Sequence, residues 1–109
     1  MNADIFVKSY VLAWNEDTVH RYYIAMLRDY TFYYTIDSLD FNQGRKEATW
    51  RGFWRSSHDT IYLHFQGNGR PPMRNYLIWE SSGCCLIQYF VTDQPRMFLR
   101  RQRTFTEMR

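Results

Sequence analysis

Signals for chain reversal recur along the whole sequence and divide it into short segments. Clusters that contain Gly, Pro, Asn, Asp or Ser are separated by roughly 8–12 residues, the spacing typical of an all-β domain. They lie at 15–17, 28–30, 40–44, 56–59, 67–72, 81–83 and 92–95. The intervening segments are rich in Tyr, Phe, Ile, Val and Thr, which favour strands. These reversals predict an antiparallel meander of about eight strands.

The segment GFWRSSHDTIYLHF (52–65) gives the clearest evidence for a hairpin. Ile61, Leu63 and Phe65 alternate with residues of the opposite face, as expected of a half-buried strand. A helix through Gly52 would lose about 1 kcal/mol relative to Ala at that position. We therefore interpret this stretch as two strands joined by a turn at 56–59, with Gly52 and Trp54 on one face.

The first 27 residues fit two interpretations. Apolar residues occur at helical spacing over 6–14 and again over 19–27, where Asp17 or Thr18 could cap the second helix. A two-residue period instead pairs 22–26 with 32–36 across a turn at Arg28 and Asp29. Periodicity does not decide between helix and strand over residues 5–27.

Length and composition indicate one domain, residues 1–109. No stretch approaches the roughly 20 apolar residues that a membrane helix needs, so we expect a soluble chain without a membrane span. The N-terminus MNADIFVKSYVLAW lacks the layout of a signal peptide. The expected location is cytoplasmic for the chain as written, and periplasmic or envelope if a signal has been removed.

The net charge of +3 arises mostly from Arg residues that lie beside aromatic residues in the sequence. Such a pattern suits a surface that binds single-stranded nucleic acid, with guanidinium groups on phosphates and rings on bases. It also suits outward strand positions at which Arg packs over neighbouring rings. The small net charge favours the second interpretation and makes nucleic acid the less favoured partner.

The sequence offers no arrangement typical of a catalytic, metal or cofactor site. His20, His58 and His64 are isolated, with His58 in a turn and the other two expected on outward strand positions. Adjacent strand residues point to opposite faces, so Cys84 and Cys85 are expected to remain thiols, and zinc spacing is absent. We therefore name no catalytic residue, metal ligand or cofactor, and the sequence favours a protein that is not an enzyme.

Four short features occur in the order of a known family. IAMLRDYTFYY (24–34) resembles the first hairpin of small bacterial lipocalin-like domains, and GFWRSSHDTIYL (52–63) resembles their next strand pair. YLIWESSGCCLIQ (76–88) and MFLRRQ (97–102) are similar to the closing hairpin and last strand. The resemblance implies a small lipocalin-like barrel or half-barrel, of a kind found largely in the bacterial envelope. Tyr30 departs from it, because the family usually has Gly or another turn-former there.

A rival resemblance begins with FVKSYVLAWNEDTVHRYYIAML (6–27). It looks like the two opening helices of the polyketide-cyclase-like α+β cone fold, with GRKEATWRGFWR (44–55) as a third helix. This resemblance implies N-terminal helices packed on a curved antiparallel sheet and an enzyme or binder that acts on a small apolar molecule. The carboxylate and His that are usual in that fold have no counterparts here.

The all-β interpretation leads to a functional hypothesis. The interior of an eight-stranded barrel is either filled by side chains or holds one small ligand. In the second case we expect a non-enzymatic binding or interaction domain with an apolar pocket lined by Tyr22, Tyr34, Trp54 and Tyr76. A barrel that does not close would expose a sheet edge, through which two copies could form a homodimer.

Overall fold

The computed structural model describes residues 3–11, 18–40, 44–92 and 96–102. Within these ranges the chain forms eight strands and no helix. The strands are β1 Ala3–Val11, β2 Thr18–Leu27, β3 Thr31–Asp40, β4 Gly44–Ser57, β5 Thr60–Phe65, β6 Met73–Trp79, β7 Cys85–Phe90 and β8 Met97–Gln102. The prediction of an all-β meander of about eight strands is confirmed.

The α+β alternative is wrong, because the segments at helical spacing form β1 and β2 and residues 44–55 belong to β4. Aromatic residues on both faces of the strands explain the misleading pattern. Tyr22 and Tyr23 are adjacent in β2 and both are half-buried, so apolar residues fall at neighbouring positions and mimic a helical period. Asp17, the suggested helix cap, lies outside the described residues.

The eight strands form a closed antiparallel barrel in sequence order. β8 completes it by pairing with β1, where Ile5, Phe6 and Val7 lie opposite Gln102, Arg101 and Arg100. The barrel alternative is therefore confirmed over the half-barrel. The homodimer hypothesis assumed that an edge strand is left unpaired. In the closed barrel β1 and β8 pair with each other, so neither of them is a free edge.

The strand register directs alternate residues into the barrel. Phe6, Ile24, Tyr34 and Trp50 lie opposite one another on β1 to β4, and directly opposite residues share a face. The predicted inward positions of β5 are likewise confirmed. The buried core consists of Phe6, Ile24, Met26, Phe32, Tyr34, Ile61, Leu63, Phe65, Met73, Leu77, Leu86, Met97 and Leu99. Side chains thus fill the middle of the barrel.

Two tight turns place residues with side chains in the left-handed region. Tyr30 has φ 65° in the β2–β3 turn, which closes with a 3.2 Å bond from the Tyr30 N–H to the Leu27 carbonyl. His58 has φ 57° at the first central position of the two-residue turn between Ser57 and Thr60. Gly adopts this conformation more readily than Tyr or His. The Tyr30 ring offsets part of this cost by packing on Trp54, with centroids 5.0 Å apart.

His58→Gly should stabilise the protein. The left-handed conformation costs a residue with a Cβ atom about 1–2 kcal/mol, and the extra flexibility of an unfolded Gly offsets about half of that. His58 is exposed, so we expect the free energy of unfolding to rise by about 0.5–1 kcal/mol. Urea unfolding followed by Trp fluorescence measures it. An unchanged or lower midpoint would mean that His58 makes a compensating contact.

Hydrogen bonds to carboxylates order two of the turns. Asp29 accepts bonds from the Thr31 hydroxyl at 2.5 Å and from the Thr31 N–H at 3.1 Å, and these lower the pKa of Asp29. In the β6–β7 turn, the Ser82 hydroxyl and N–H and the Ser81 hydroxyl donate to Glu80 and lower the pKa of its carboxyl group. Both carboxylates shape turns, as expected of acidic residues at these positions.

Cys84 and Cys85 are joined by a disulfide, so the expectation of two thiols is wrong. That expectation placed both residues within one strand, where neighbouring side chains diverge. Strand β7 begins only at Cys85, and Cys84 belongs to the turn that precedes it. The alternation of side chains along a strand therefore does not apply to this pair of cysteines.

Candidate functional site

One end of the barrel, which we call the turn end, carries the turns at 28–30, 58–59 and 81–83. Two clusters cover the interior there. Arg101 lies with its guanidinium 5.3 Å from the ring centre of Phe6 and 5.7 Å from that of Trp79, and the two rings meet edge to face. Trp54 donates its indole N–H to the Leu27 carbonyl at 3.1 Å. These contacts close the interior at the turn end.

The opposite end, the loop end, carries the β5–β6 connection at residues 66–72. Its interior is lined by half-buried apolar side chains, which we call the aromatic cup: Tyr22, Ile36, Trp50 and Phe90. Tyr22 and Phe90 meet edge to face across the barrel, with ring centres 6.5 Å apart. Gly69, in the β5–β6 connection, lies beside Trp50: a Cβ atom at Gly69 would be 3.5 Å from the indole nitrogen of Trp50. The cup residues are only partly buried, as are Trp54 and Trp79 at the turn end.

Gln88 lies at the base of the aromatic cup. It is one inward position below Phe90 on β7, and its cross-strand neighbours are Leu77 and Met97 of the core. The side chain is completely buried, and neither Oε1 nor Nε2 has a hydrogen-bond partner. A buried amide without partners destabilises a protein by about 1–3 kcal/mol. A polar group in this state is a candidate binding group for a molecule that enters the cup.

The four residues predicted to line a pocket do not converge. Tyr22 is in the cup, and Tyr34 is completely buried beneath it, with its ring centre 6.1 Å from that of Trp50. Trp54 also faces the interior but lies at the turn end, four positions beyond Trp50 along β4, a separation of about 13 Å. The structure therefore brings only two of the four predicted residues to the same end of the barrel.

Tyr76, the fourth predicted residue, lies on the outer face. Tyr76 pairs with Tyr62 of β5, which in turn pairs with Arg55 of β4, and paired residues share a face. The ring centre of Tyr76 is 5.7 Å from that of Tyr89. The register of β6 against β7 shifts by two residues between Met73 and Leu77, both of which are buried, so the shift does not exchange the two faces. Alternation through YLIW (76–79) does not reveal which face is inward, because all four residues are apolar or aromatic.

The other titratable side chains of the described residues do not form a second interior site. His64 is exposed on the outer face of β5, as predicted. His20 was expected to point outward, but it is half-buried and lies 2.9 Å from the Ser38 hydroxyl through Nδ1. Over the described ranges, no group of His, Cys, Asp or Glu could hold a metal ion.

Comparison with protein-family models, with curated proteins and with solved structures finds no significant match. The closed antiparallel eight-stranded barrel is consistent with the architecture of a lipocalin-like barrel. In the described part of the chain, no helix is long and apolar enough to cross a membrane.

Proposed function

We propose that this protein is a small, non-enzymatic binding domain that holds an apolar molecule in the aromatic cup. As in lipocalin-like barrels, the guest would enter at one end of a barrel whose other end is covered. The supporting observation is the Gln88 amide, which is completely buried at the base of the cup with no partner for either polar atom. The covered turn end favours entry from the loop end.

The chemistry of Gln88 narrows the class of guest. An amide offers one acceptor and a donor group, so its best complement is a neutral group that also offers both, such as a carboxamide or a protonated carboxylic acid. Leu77 and Met97 beside it provide no charge to balance an ion. The guest proposed is therefore an apolar body with one neutral amide-like group, and its rings or chain would contact Trp50 and Phe90.

The substitution Gln88→Leu distinguishes a ligand-binding role of Gln88 from a purely structural one. The test uses N-phenyl-1-naphthylamine as a fluorescent probe, with decanamide and undecane as competitors. Decanamide should displace the probe from the wild-type protein. The substitution should lower the affinity for decanamide about tenfold, since one lost hydrogen bond is worth about 1.4 kcal/mol. Undecane, which makes no hydrogen bond, should be unaffected. The same substitution should raise the free energy of unfolding without ligand by about 1–3 kcal/mol.

Gln102→Leu is the matched control, because Gln102 is an exposed Gln at the end of β8. It should change neither decanamide binding nor the free energy of unfolding by more than about 0.5 kcal/mol. The proposal fails if decanamide does not displace the probe, or if Gln88→Leu binds decanamide as tightly as the wild-type protein does.

A further inference from the structure

The segment that forms most of β4, β5 and β6 has an excess of positive charge. Between residues 48 and 79 the only acidic residue is Asp59, in a turn, whereas this stretch contains Arg51, Arg55, Arg70 and Arg74. The carboxylates Asp37, Asp40 and Glu47 lie on β3 and the first half of β4. The net charge of +3 is a sum over the whole chain, so it does not show the excess of positive charge in residues 48–79.

Exposed aromatic rings lie among these Arg side chains. We call this surface the β4–β6 outer face, and it comprises Arg51, Phe53, Arg55, Tyr62, His64 and Asn75. Phe53 is 47 % exposed and Tyr62 is 40 % exposed. Phe53 lies opposite His64, and Arg55 lies opposite Tyr62 with its guanidinium 5.1 Å from the ring centre. Rings and guanidinium groups thus alternate across paired strands.

Three shallow depressions run across this part of the barrel, and each contains one Arg. The first, of about 240 Å³, lies among Phe53, Arg55, Tyr62, His64 and Asn75. The second, of about 320 Å³, lies beside it toward β3 and includes Tyr33 and Arg51. The third, of about 400 Å³, includes Arg70 and shares His64 and Asn75 with the first. The first and third depressions therefore adjoin each other, and the second begins at Gly52, next to Phe53 of the first.

We propose that the β4–β6 outer face binds single-stranded nucleic acid, independently of the guest proposed for the aromatic cup. Proteins bind single strands without sequence preference by stacking bases on aromatic rings or guanidinium planes while basic groups follow the phosphates. A repeated pairing of one guanidinium with a ring suits a polymer whose unit is one phosphate and one base. Phe53 and Tyr62 supply the exposed rings of this face, and Tyr33 on β3 supplies one in the second depression.

The charge of this face argues against a second copy of the chain as the occupant. A two-fold dimer through this surface would place Arg51 and Arg55 near the same residues of the partner, with no carboxylate of the face to balance them. An acidic peptide would satisfy the guanidinium groups, but its carboxylates would leave the exposed faces of Phe53 and Tyr62 without flat partners. A single strand accounts for both the charge and the rings.

Fluorescence anisotropy with a fluorescein-labelled dT12 strand tests this proposal. The wild-type protein should bind dT12 with an affinity that falls as salt rises, since counterions are released from the phosphates. Phe53→Ala should weaken binding about tenfold through the loss of one stacked base. Arg55→Gln should lower the slope of log affinity against log salt by about 0.7, the value for one phosphate contact on a single strand.

Arg21→Gln is the matched control, because it removes the same charge from an exposed position on β2, opposite Asp37 and away from the β4–β6 outer face. It should leave dT12 binding within about twofold of wild type, and all three variants should keep the wild-type circular dichroism spectrum. Absence of dT12 binding at low salt overturns the proposal. So does an equal loss in Arg21→Gln, equally tight binding of duplex DNA, or tighter binding of a labelled oligoglutamate peptide of matched length. Decanamide displacement is read separately, so failure of either proposal leaves the other standing.

Discussion

Gly52→Ala should abolish or nearly abolish folding. A Cβ atom at this position would lie 1.9 Å from the His64 carbonyl oxygen, 2.8 Å from the carbonyl carbon and 3.0 Å from a ring carbon of Phe32. Two of these atoms belong to the backbone of β5, so a rotamer change cannot relieve the overlap. The strands would have to separate where the Gln66 N–H bonds to the Arg51 carbonyl at 2.8 Å. We expect the free energy of unfolding to fall by about 4 kcal/mol or more.

Gly69→Ala provides the control for that substitution. Its Cβ atom would meet only the Trp50 indole nitrogen at 3.5 Å, an ordinary van der Waals distance, and its φ is not positive. The free energy of unfolding should change by no more than about 0.5 kcal/mol. Circular dichroism and urea unfolding of the two variants test the difference. A loss below about 1 kcal/mol for Gly52→Ala would contradict the close approach of β4 and β5.

Phe32→Ala should cost about 3–5 kcal/mol of the free energy of unfolding. Phe32 is 1 % exposed, and its ring meets that of Phe65 edge to face, with centres 5.3 Å apart. Removing the ring leaves a cavity in the middle of the filled core and exposes no compensating surface. Urea or thermal unfolding followed by circular dichroism measures the loss.

Phe53→Ala is the matched control, since it removes the same ring from the adjacent strand β4 but from the outer face. It should cost no more than about 1 kcal/mol, because much of that ring is already in contact with water. Equal losses for the two Phe residues would mean that the inward and outward faces of β3 and β4 have been assigned incorrectly. The same variant is expected to bind dT12 about tenfold more weakly, so its stability also controls that experiment.

The strand pattern was predictable where each strand has one buried face. In Thr60–Phe65 the alternation of Ile61, Leu63 and Phe65 matches the buried positions of the structure. Along β7, Cys85, Leu86, Ile87 and Gln88 are all buried, so alternation does not distinguish the two faces. The inward position of Gln88 follows only from its pairing with Leu77 and Met97, which is long-range information.

The candidate site was predictable only in part, for the same physical reason. An aromatic-lined interior follows from composition and alternation, and Tyr22 and Tyr34 were placed in it. The end at which Trp54 lies depends on how the eight strands are staggered, and the face of Tyr76 depends on its pairing with Tyr62 of β5. Likewise, the concentration of Arg on one side is invisible in a net charge, because it arises when β4, β5 and β6 become neighbours.

The central functional claim is that Gln88 anchors a guest in the aromatic cup. Nuclear magnetic resonance of the side-chain amide protons in ¹⁵N-labelled protein, titrated with decanamide, tests it most directly. The Gln88 Nε2 protons should shift with saturation and show cross-relaxation with decanamide, while those of exposed Gln102 remain unchanged. Binding that saturates without moving the Gln88 resonances, or that moves both amides equally, would contradict the claim.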